Sequence, residues 1–236
     1  LKVVTDHIKV VEKLEAAARA SGKKLNVLLD LDVGLHRTGA ALKAGALEIV
    51  EKIYASDVLA FEGIQAYAGH VMHIESFEER KSASLDCLGQ LAEAKAAVES
   101  KGIKVGILTG GGTGTFDIDP AASVLTELQG GSYIFMDKQY NEVRPEVSRN
   151  WRFETALFVD TTVISSNLAG LATTDGGFKA FASDADSPEI FSGAPEGADY
   201  FFFGDEQGGI AVPDEGRLPL GTKVTCVTPV SYTHLT

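Results

Sequence analysis

An α/β unit built on a parallel sheet, followed by an antiparallel β region, is the fold class this sequence predicts. Three observations carry it. Up to about residue 145 the chain alternates short apolar runs with patterns of helical period. Those apolar runs are continuous rather than alternating, as expected of strands covered on both faces. From about Trp151 onward the texture changes to short β-branched and aromatic runs split by Gly, Pro, Asn and Asp, the signature of antiparallel strands.

The elements follow in order. Leu1 to Thr5 reads as a strand. Asp6 opens a helix on which Ile8, Val11, Leu14 and Ala18 recur near every 3.6 residues, and Gly22 closes it. "LNVLLDLDV" (Leu25 to Val33) is a buried strand. A helix is expected from about Ala40 to Ala55, with Leu42, Ile49 and Ile53 on one side, and then a strand, "FEGIQAYAG" (Phe61 to Gly69). Ser76 with Glu79 forms a capping box for a long helix running to about Ser100, with Gly102 beyond its end. Lys104 to Leu108 is again a strand, and another follows near "GGSYIFMD". In the second region "TALFVDTTVIS", "FKAFAS", "YFFFGDE" and "TKVTCVTP" read as strands. The segment "YNEVRPEVSRN" places the boundary, giving domains 1–147 and 148–236.

Composition limits what such a chain does. The 236 residues, 44% hydrophobic and 23% charged, suit one large or two modest soluble domains. A formal net charge of -12 and no basic run argue against nucleic acid as a partner. Cys87 and Cys226 stand in no metal-binding or disulfide pattern, which fits a reducing compartment and makes the cytoplasm the expected location. No stretch is apolar enough to span a membrane, and no signal pattern opens the chain. With no Met at its start, the chain is expected to begin inside its gene.

"ILTGGGTGTF" (Ile107 to Phe116) is the most distinctive stretch. No Gly-Lys-Ser/Thr follows and no frame gives GxGxxG, so neither a Walker loop nor a dinucleotide fingerprint is present. Glycines at a strand end free successive N–H groups to form a concave nest for one phosphate, with Thr113 and Thr115 hydroxyls as extra donors. A tight strand-to-helix turn without ligand accounts for the same residues equally well. Gly131, Ser132 and Tyr133 in "LQGGSYIFMD" offer further donors near a late strand, where barrel enzymes commonly bind phosphate. At other strand ends, "LLDLDVGLHRTG" places Asp32, Gly34, His36 and Arg37 close together, although an Asp there also serves as a helix cap. "IQAYAGHVMH" supplies Gln65, Tyr67, His70 and His73, donors and an acid/base candidate at the same rim.

"DLDVGLHRTG", "GIQAYAGHVMH", "TGGGTGTF", "ELQGGSYIFMD", "DGGFKAFASD" and "GDEQGG", in that order, resemble the D-threonine aldolase and D-serine dehydratase group of fold-type III, alanine-racemase-like pyridoxal-phosphate enzymes. The similarity extends from about residue 2 to 227. It implies a partial (β/α)8 TIM-type barrel that binds pyridoxal 5'-phosphate, followed by a C-terminal β domain, in a cytoplasmic homodimer with a divalent metal (Mn, Mg or Zn). It further implies that Gly111, Gly112, Thr113 and Gly114, with Gly131, Ser132 and Tyr133, hold the cofactor phosphate. Gln65, Tyr67 and Arg37 would surround the ring, with His70 or His73 near the hydroxyl of a small D-amino acid. The implied reaction is retro-aldol cleavage of D-threonine-like substrates. D-serine or 3-hydroxy-D-aspartate dehydration is the alternative, and a non-catalytic cofactor-binding protein is the alternative of another class.

The chain also departs from that family. The cofactor-bonding lysine belongs to an N-terminal motif resembling RPHxKTHK, which is absent here, and Lys9, Lys43, Lys138 and Lys179 do not replace it. The metal-binding His-x-Cys or His-x-Asp pair is also absent, because "CVTP" runs into "VSYTHLT", where His234 has the wrong spacing. Residues 231–236 read as translated adapter sequence. Gln207 in "GDEQGG" stands where the family usually has His and cannot act as acid or base. The expectation is a fragment, truncated at both ends and inactive by itself.

Overall fold

The computed structural model describes residues 1–143, 145, 153–181 and 186–231. The boundary expected at 147/148 and the tail carrying His234 lie outside the described residues. Two compact units divide the chain, Leu1–Gly131 and Ser132–Thr236.

In the first unit, β1 (Lys2–Thr5), β2 (Leu25–Asp30), β3 (Leu59–Ala66), β4 (Ile107–Gly110) and β5 (Glu127–Leu128) form one sheet in sequence order. Every pairing is parallel. The connections carry α1 (Ile8–Ser21), α2 (Leu47–Tyr54) after a π-helical turn at Leu42–Ala46, α3 (Phe77–Glu99) and α4 (Asp119–Ala122). Strand periodicity assigns the faces. Val27, Leu29 and Leu31 join Ile64 and Leu108 in a core with Val11, Ile49, Val50, Ile53, Leu91 and Val98 of the helices. Leu28 and Asp30 alternate with that set.

Helix ends show where local expectations were displaced. Gly22 closes α1 in the left-handed conformation, φ 65°, and its N–H reaches the carbonyls of Ala18 and Arg19. The N-cap of α1 is His7, whose Nδ1 accepts from the Lys9 N–H at 3.1 Å, rather than Asp6. Asp6 instead accepts from the Gly39 N–H at 3.0 Å, a tertiary bond that sequence alone does not reveal. The helix expected from Ala40 starts at Leu42, because Ala40 bridges Leu31 and bonds Asp30 and Asp32 through its backbone. Ser76 caps α3, its hydroxyl accepting from the Glu79 N–H at 3.5 Å.

The second unit opens with a 3-10 turn at Ser132–Ile134 and α5 (Lys138–Glu142), where a strand near "GGSYIFMD" had been expected. Asp137 caps α5 and also accepts from the N–H and hydroxyl of Ser231 at 2.9 Å. A six-stranded antiparallel sheet follows: β6 (Phe158–Leu168), β7 (Leu171–Thr174), β8 (Glu189–Ser192), β9 (Asp199–Phe202), β10 (Gly208–Ala211) and β11 (Lys223–Val227). Its order is β8-β11-β6-β7-β10-β9. Val163, Ala172, Tyr200, Ile210, Val224 and Cys226 form its core.

"FKAFAS" is not a strand over its described residues. Phe178 and Lys179 donate their N–H groups to the carbonyls of Gly204 and Asp205 at 3.0 Å each, and Ala180 closes a turn on Gly177. A Cβ at Gly177 would lie 2.4 Å from both of those carbonyl oxygens, so this turn rests backbone against backbone on the loop before β10. Among the described residues, no helix is long and apolar enough to cross a membrane.

Candidate functional site

The C-terminal ends of β2, β3, β4 and β5 carry a connected set of polar side chains, as parallel α/β architecture favours. A chain of side-chain hydrogen bonds crosses them. Asp30, last residue of β2, accepts from the Thr38 hydroxyl at 2.8 Å and the Gln65 amide at 3.2 Å. Gln129 donates to Gln65 Oε1 at 3.4 Å and to the Thr109 hydroxyl at 3.1 Å. Thr109 in turn donates to Glu127 at 2.9 Å. A cleft of about 270 Å³, bounded by Lys2, Leu28, Gln65, Thr109, Glu127 and Gln129, runs beside this network.

Three loops line the rim in series. In the first, Asp32 Oδ1 accepts from the N–H groups of Gly34 (2.9 Å) and His36 (3.0 Å), and Oδ2 lies 2.6 Å from His36 Nδ1. Burial raises the Asp32 pKa, but the His36 and Gly34 N–H bonds, with the His36 ring, outweigh it and hold the carboxyl below its ordinary value. Asp32 therefore folds its own loop. Gly39 sits at φ 109°, where a Cβ would lie 2.4 Å from the Asp32 nitrogen, so this loop closes only with glycine there.

The second loop follows β3. Arg37 lies over the Tyr67 ring at 5.2 Å, joining the first loop to the second. His70, on the 3-10 turn Gly69–Val71, has its Nε2 3.9 Å from the Cys87 sulfur, and Gly34 leaves room for the same ring. His70 and His73 are exposed, whereas Val71 and Met72 are buried between them.

The third loop holds the glycines, and they serve close packing. A Cβ at Gly111, Gly112 or Gly114 would lie 2.2 Å from Asp119 Oδ2, 2.7 Å from the Met72 sulfur or 2.1 Å from the Met72 carbonyl oxygen, respectively. Thr115 accepts from the Gly112 N–H at 3.3 Å and donates to Asp119 at 2.5 Å. Asp119 also accepts from Ser84 at 2.5 Å. Burial raises the Asp119 pKa, and the Ser84 and Thr115 bonds only partly oppose it.

Of the residues singled out in the sequence, the structure thus brings Arg37 to Tyr67, and the His70–His73 loop to Gly112 and Gly114. Gln65 joins the strand-end network. Gly131 ends the first unit, while Ser132 and Tyr133 begin the second, where Tyr133 packs on Phe153 with ring centroids 5.3 Å apart. Among the described residues, no group of three or more His, Cys, Asp or Glu side chains could hold a metal ion.

Residues 1–139 match the family described as alanine racemase, N-terminal domain. The chain belongs to that family. Residues 156–229 of this alanine-racemase-like chain match a second description, putative serine dehydratase domain. It is 33% identical to a 3-hydroxy-D-aspartate aldolase of Paracoccus denitrificans (strain Pd 1222), over 95% of this chain and 58% of that protein. It is 32% identical to a D-threonine aldolase of an Arthrobacter species, over 93% of this chain and 57% of that protein. The crystal structure of D-threonine aldolase from Filomicrobium marinum superposes with a TM-score of 0.91 at 31% identity, covering 97% of this chain and 62% of that one. The chain therefore spans less than two-thirds of the length of these relatives.

Within this alanine-racemase-like unit, sequence reasoning missed Asp30, Thr109, Glu127 and Gln129, and it missed the supports Arg80, Ser84 and Asp119. One signal was available. Asp30 is an acid inside the apolar run "NVLLDLDV", and an ionisable group there needs buried partners. Asp32, expected at the rim with Gly34, His36 and Arg37, caps its own loop.

Proposed function

We propose that the protein to which this chain belongs is a pyridoxal-phosphate-dependent lyase that cleaves β-hydroxy-D-amino acids to glycine and an aldehyde. The observation that carries this reading is the rim itself. Arg37 lies over Tyr67, Tyr67 and the His70–His73 loop follow the end of β3, and Gln65 near that end borders a cleft of about 270 Å³. The relatives named as aldolases of D-threonine and 3-hydroxy-D-aspartate support it.

The residues suit the cofactor in kind. Gly111, Gly112 and Gly114 present backbone free of Cβ atoms at a strand end, with φ 64° at Gly111, and Thr113 stands among them. They would hold the phosphate together with Gly131, Ser132 and Tyr133. Tyr67 offers an aromatic face already paired with a guanidinium, and Gln65 a fixed amide, for the ring. When bound, the cofactor supplies an electron sink for the charge left on Cα as the Cα–Cβ bond breaks.

The chain's own part is orientation and proton handling. Gln65, held between Asp30 and Gln129, cannot swing without leaving hydrogen bonds unmade. His70 or His73 takes the proton of the β-hydroxyl and, being exposed, returns it to water. Arg37 braces Tyr67 from over its ring. The divalent metal (Mn, Mg or Zn) and the homodimer belong to the same reading, as do the cytoplasmic location and the domain boundary at 147/148.

The test is the full-length protein, purified and supplied with pyridoxal phosphate and Mn²⁺, then offered D-threonine and 3-hydroxy-D-aspartate separately. Glycine with acetaldehyde or glyoxylate is the expected product pair. Ammonia with a keto acid, and no glycine, would overturn the aldolase reading in favour of dehydration. Cofactor uptake without either product would leave a binding protein.

A further inference from the structure

The first turn of α3 contains a charge where helix physics disfavours one. Arg80 is a cation near a helix N-terminus, where the macrodipole is positive, and it is fully buried, 0% exposed. Taking a guanidinium out of water costs free energy that only well-placed acceptors offset.

Its acceptors include backbone carbonyls of two different rim loops, and the Asp117 carboxylate charge also favours the guanidinium. Nε donates to the Gly114 carbonyl at 2.8 Å, while Nη1 donates to the carbonyls of Ile74 at 2.6 Å and Glu75 at 3.2 Å. The Phe77 ring lies 5.6 Å from the guanidinium carbon. Gly114 and Met72 already meet backbone to backbone, as the 2.1 Å separation from a Cβ at Gly114 requires. The guanidinium thus clasps the outer flank of the contact that joins the histidine loop to the glycine loop. A planar fork donates in two fixed directions at once, which a lysine ammonium on a flexible stem does not reproduce.

We propose that Arg80 is a positioning residue that couples the loop 69–75 to the loop 111–115, so that the two sides of the site open and close as one unit. The proposal rests on the functional reading above only in calling these loops the site. A movement of His70 or His73 would then be felt at the glycine loop, and the reverse.

Amide hydrogen exchange on the full-length protein loaded with pyridoxal phosphate tests it. In Arg80→Lys, exchange in 69–75 and in 111–115 should quicken together by about tenfold, the loss expected for a charge-assisted hydrogen bond, with Val27 to Leu29 unchanged. The rate of cofactor release should rise by a similar factor. Faster exchange in one loop alone, uniformly faster exchange that includes β2, or no change would overturn the coupling. If the variant fails to fold, native-state exchange of the wild type in low denaturant decides. One shared opening free energy and denaturant slope for both loops supports the proposal, and two distinct ones overturn it. A wild type that binds no pyridoxal phosphate would sink the functional reading, while the exchange result would still decide the coupling.

Discussion

Gly114→Ala is the sharpest test of how the rim is built. The new Cβ would lie 2.1 Å from the Met72 carbonyl oxygen and 2.9 Å from its carbonyl carbon and Cα, where ordinary contact begins near 3.4 Å. Backbone rather than a side-chain tip is in the way, so relief requires one loop to move by roughly 1 Å. Met72 is 1% exposed and cannot yield outward. Moving Gly114 instead stretches the Arg80 bond to its carbonyl. Overpacking of this kind costs about 1–3 kcal/mol, or about 3–10 °C in Tm for a chain of this size. Gly89→Ala is the matched control. It lies within α3, where the added carbon would meet nothing within 4 Å beyond the backbone of its own helix, and should gain about 0.5–1 kcal/mol. Thermal and urea unfolding of both variants measure the difference. Equal melting of Gly114→Ala and wild type would refute the argument that the glycines are fixed by the Met72 contact.

Three further outcomes follow from single residues. Burial pushes the Cys87 thiol up to about 11 and the Cys226 thiol up to about 12, so neither should react with Ellman's reagent at pH 7.5 until guanidinium exposes both. Asp119 has a carboxyl pKa raised in the fold, chiefly by burial, so the folded state holds the proton more tightly. Its stability is full below 3.8 and falls as pH rises through the window up to the folded value, and Asp119→Asn should flatten that slope in urea titrations at successive pH. Asp32 has the opposite sign, because bonds from the His36 and Gly34 N–H groups outweigh the rise from burial. Its contribution is present above 3.8 and lost as pH falls through the lowered folded value, and Asp32→Asn should remove that acid loss at a cost of about 1–2 kcal/mol near neutrality.

The α/β order of the first unit was legible because parallel strands are written as apolar runs and helices as a period of 3.6. Ser76 and Gly22 signalled their helix ends for local reasons, and the structure keeps both. His7 displaced Asp6 as the cap of α1 because Asp6 is bonded to Gly39, 33 residues away. In the second unit, aromatic "FKAFAS" read as a strand, yet Gly177 draws its start into a turn against Gly204 and Asp205. Gly208–Ala211, glycine-rich and without a β-branched run, is a strand all the same, paired on both sides by β7 and β9. At the rim, individual residues such as Gln65 and Arg37 could be picked out, but the network through Gln129 depends on which strand ends lie side by side. The glycine run was ambiguous between a phosphate nest and a packed turn, and its side-chain-free surface meets Met72 and Asp119.

α3 shows why the rim's supports escaped notice. Its buried stripe runs through Arg80, Ser84 and Cys87 and continues into Leu88, Leu91, Ala94 and Val98. The second half is apolar because it faces the core shared with β2 and β3. The first half is polar because it lies beneath the loops. There Arg80 holds the Gly114 carbonyl, Ser84 holds Asp119 and the Cys87 thiol donates to the Val33 carbonyl at 3.4 Å while touching His70. One helix face therefore supports all three rim loops from positions i, i+4 and i+7: Arg80 holds the second and third, Ser84 the third through Asp119, and Cys87 the first and second. A hydrophobic pattern search sees only half an amphipathic helix here, since the other half buries hydrogen bonds. Loops at a strand's end carry few apolar contacts of their own, so a site built on them must be made rigid from beneath. The three polar residues of α3 do that, at the desolvation cost that buried hydrogen-bonded groups carry.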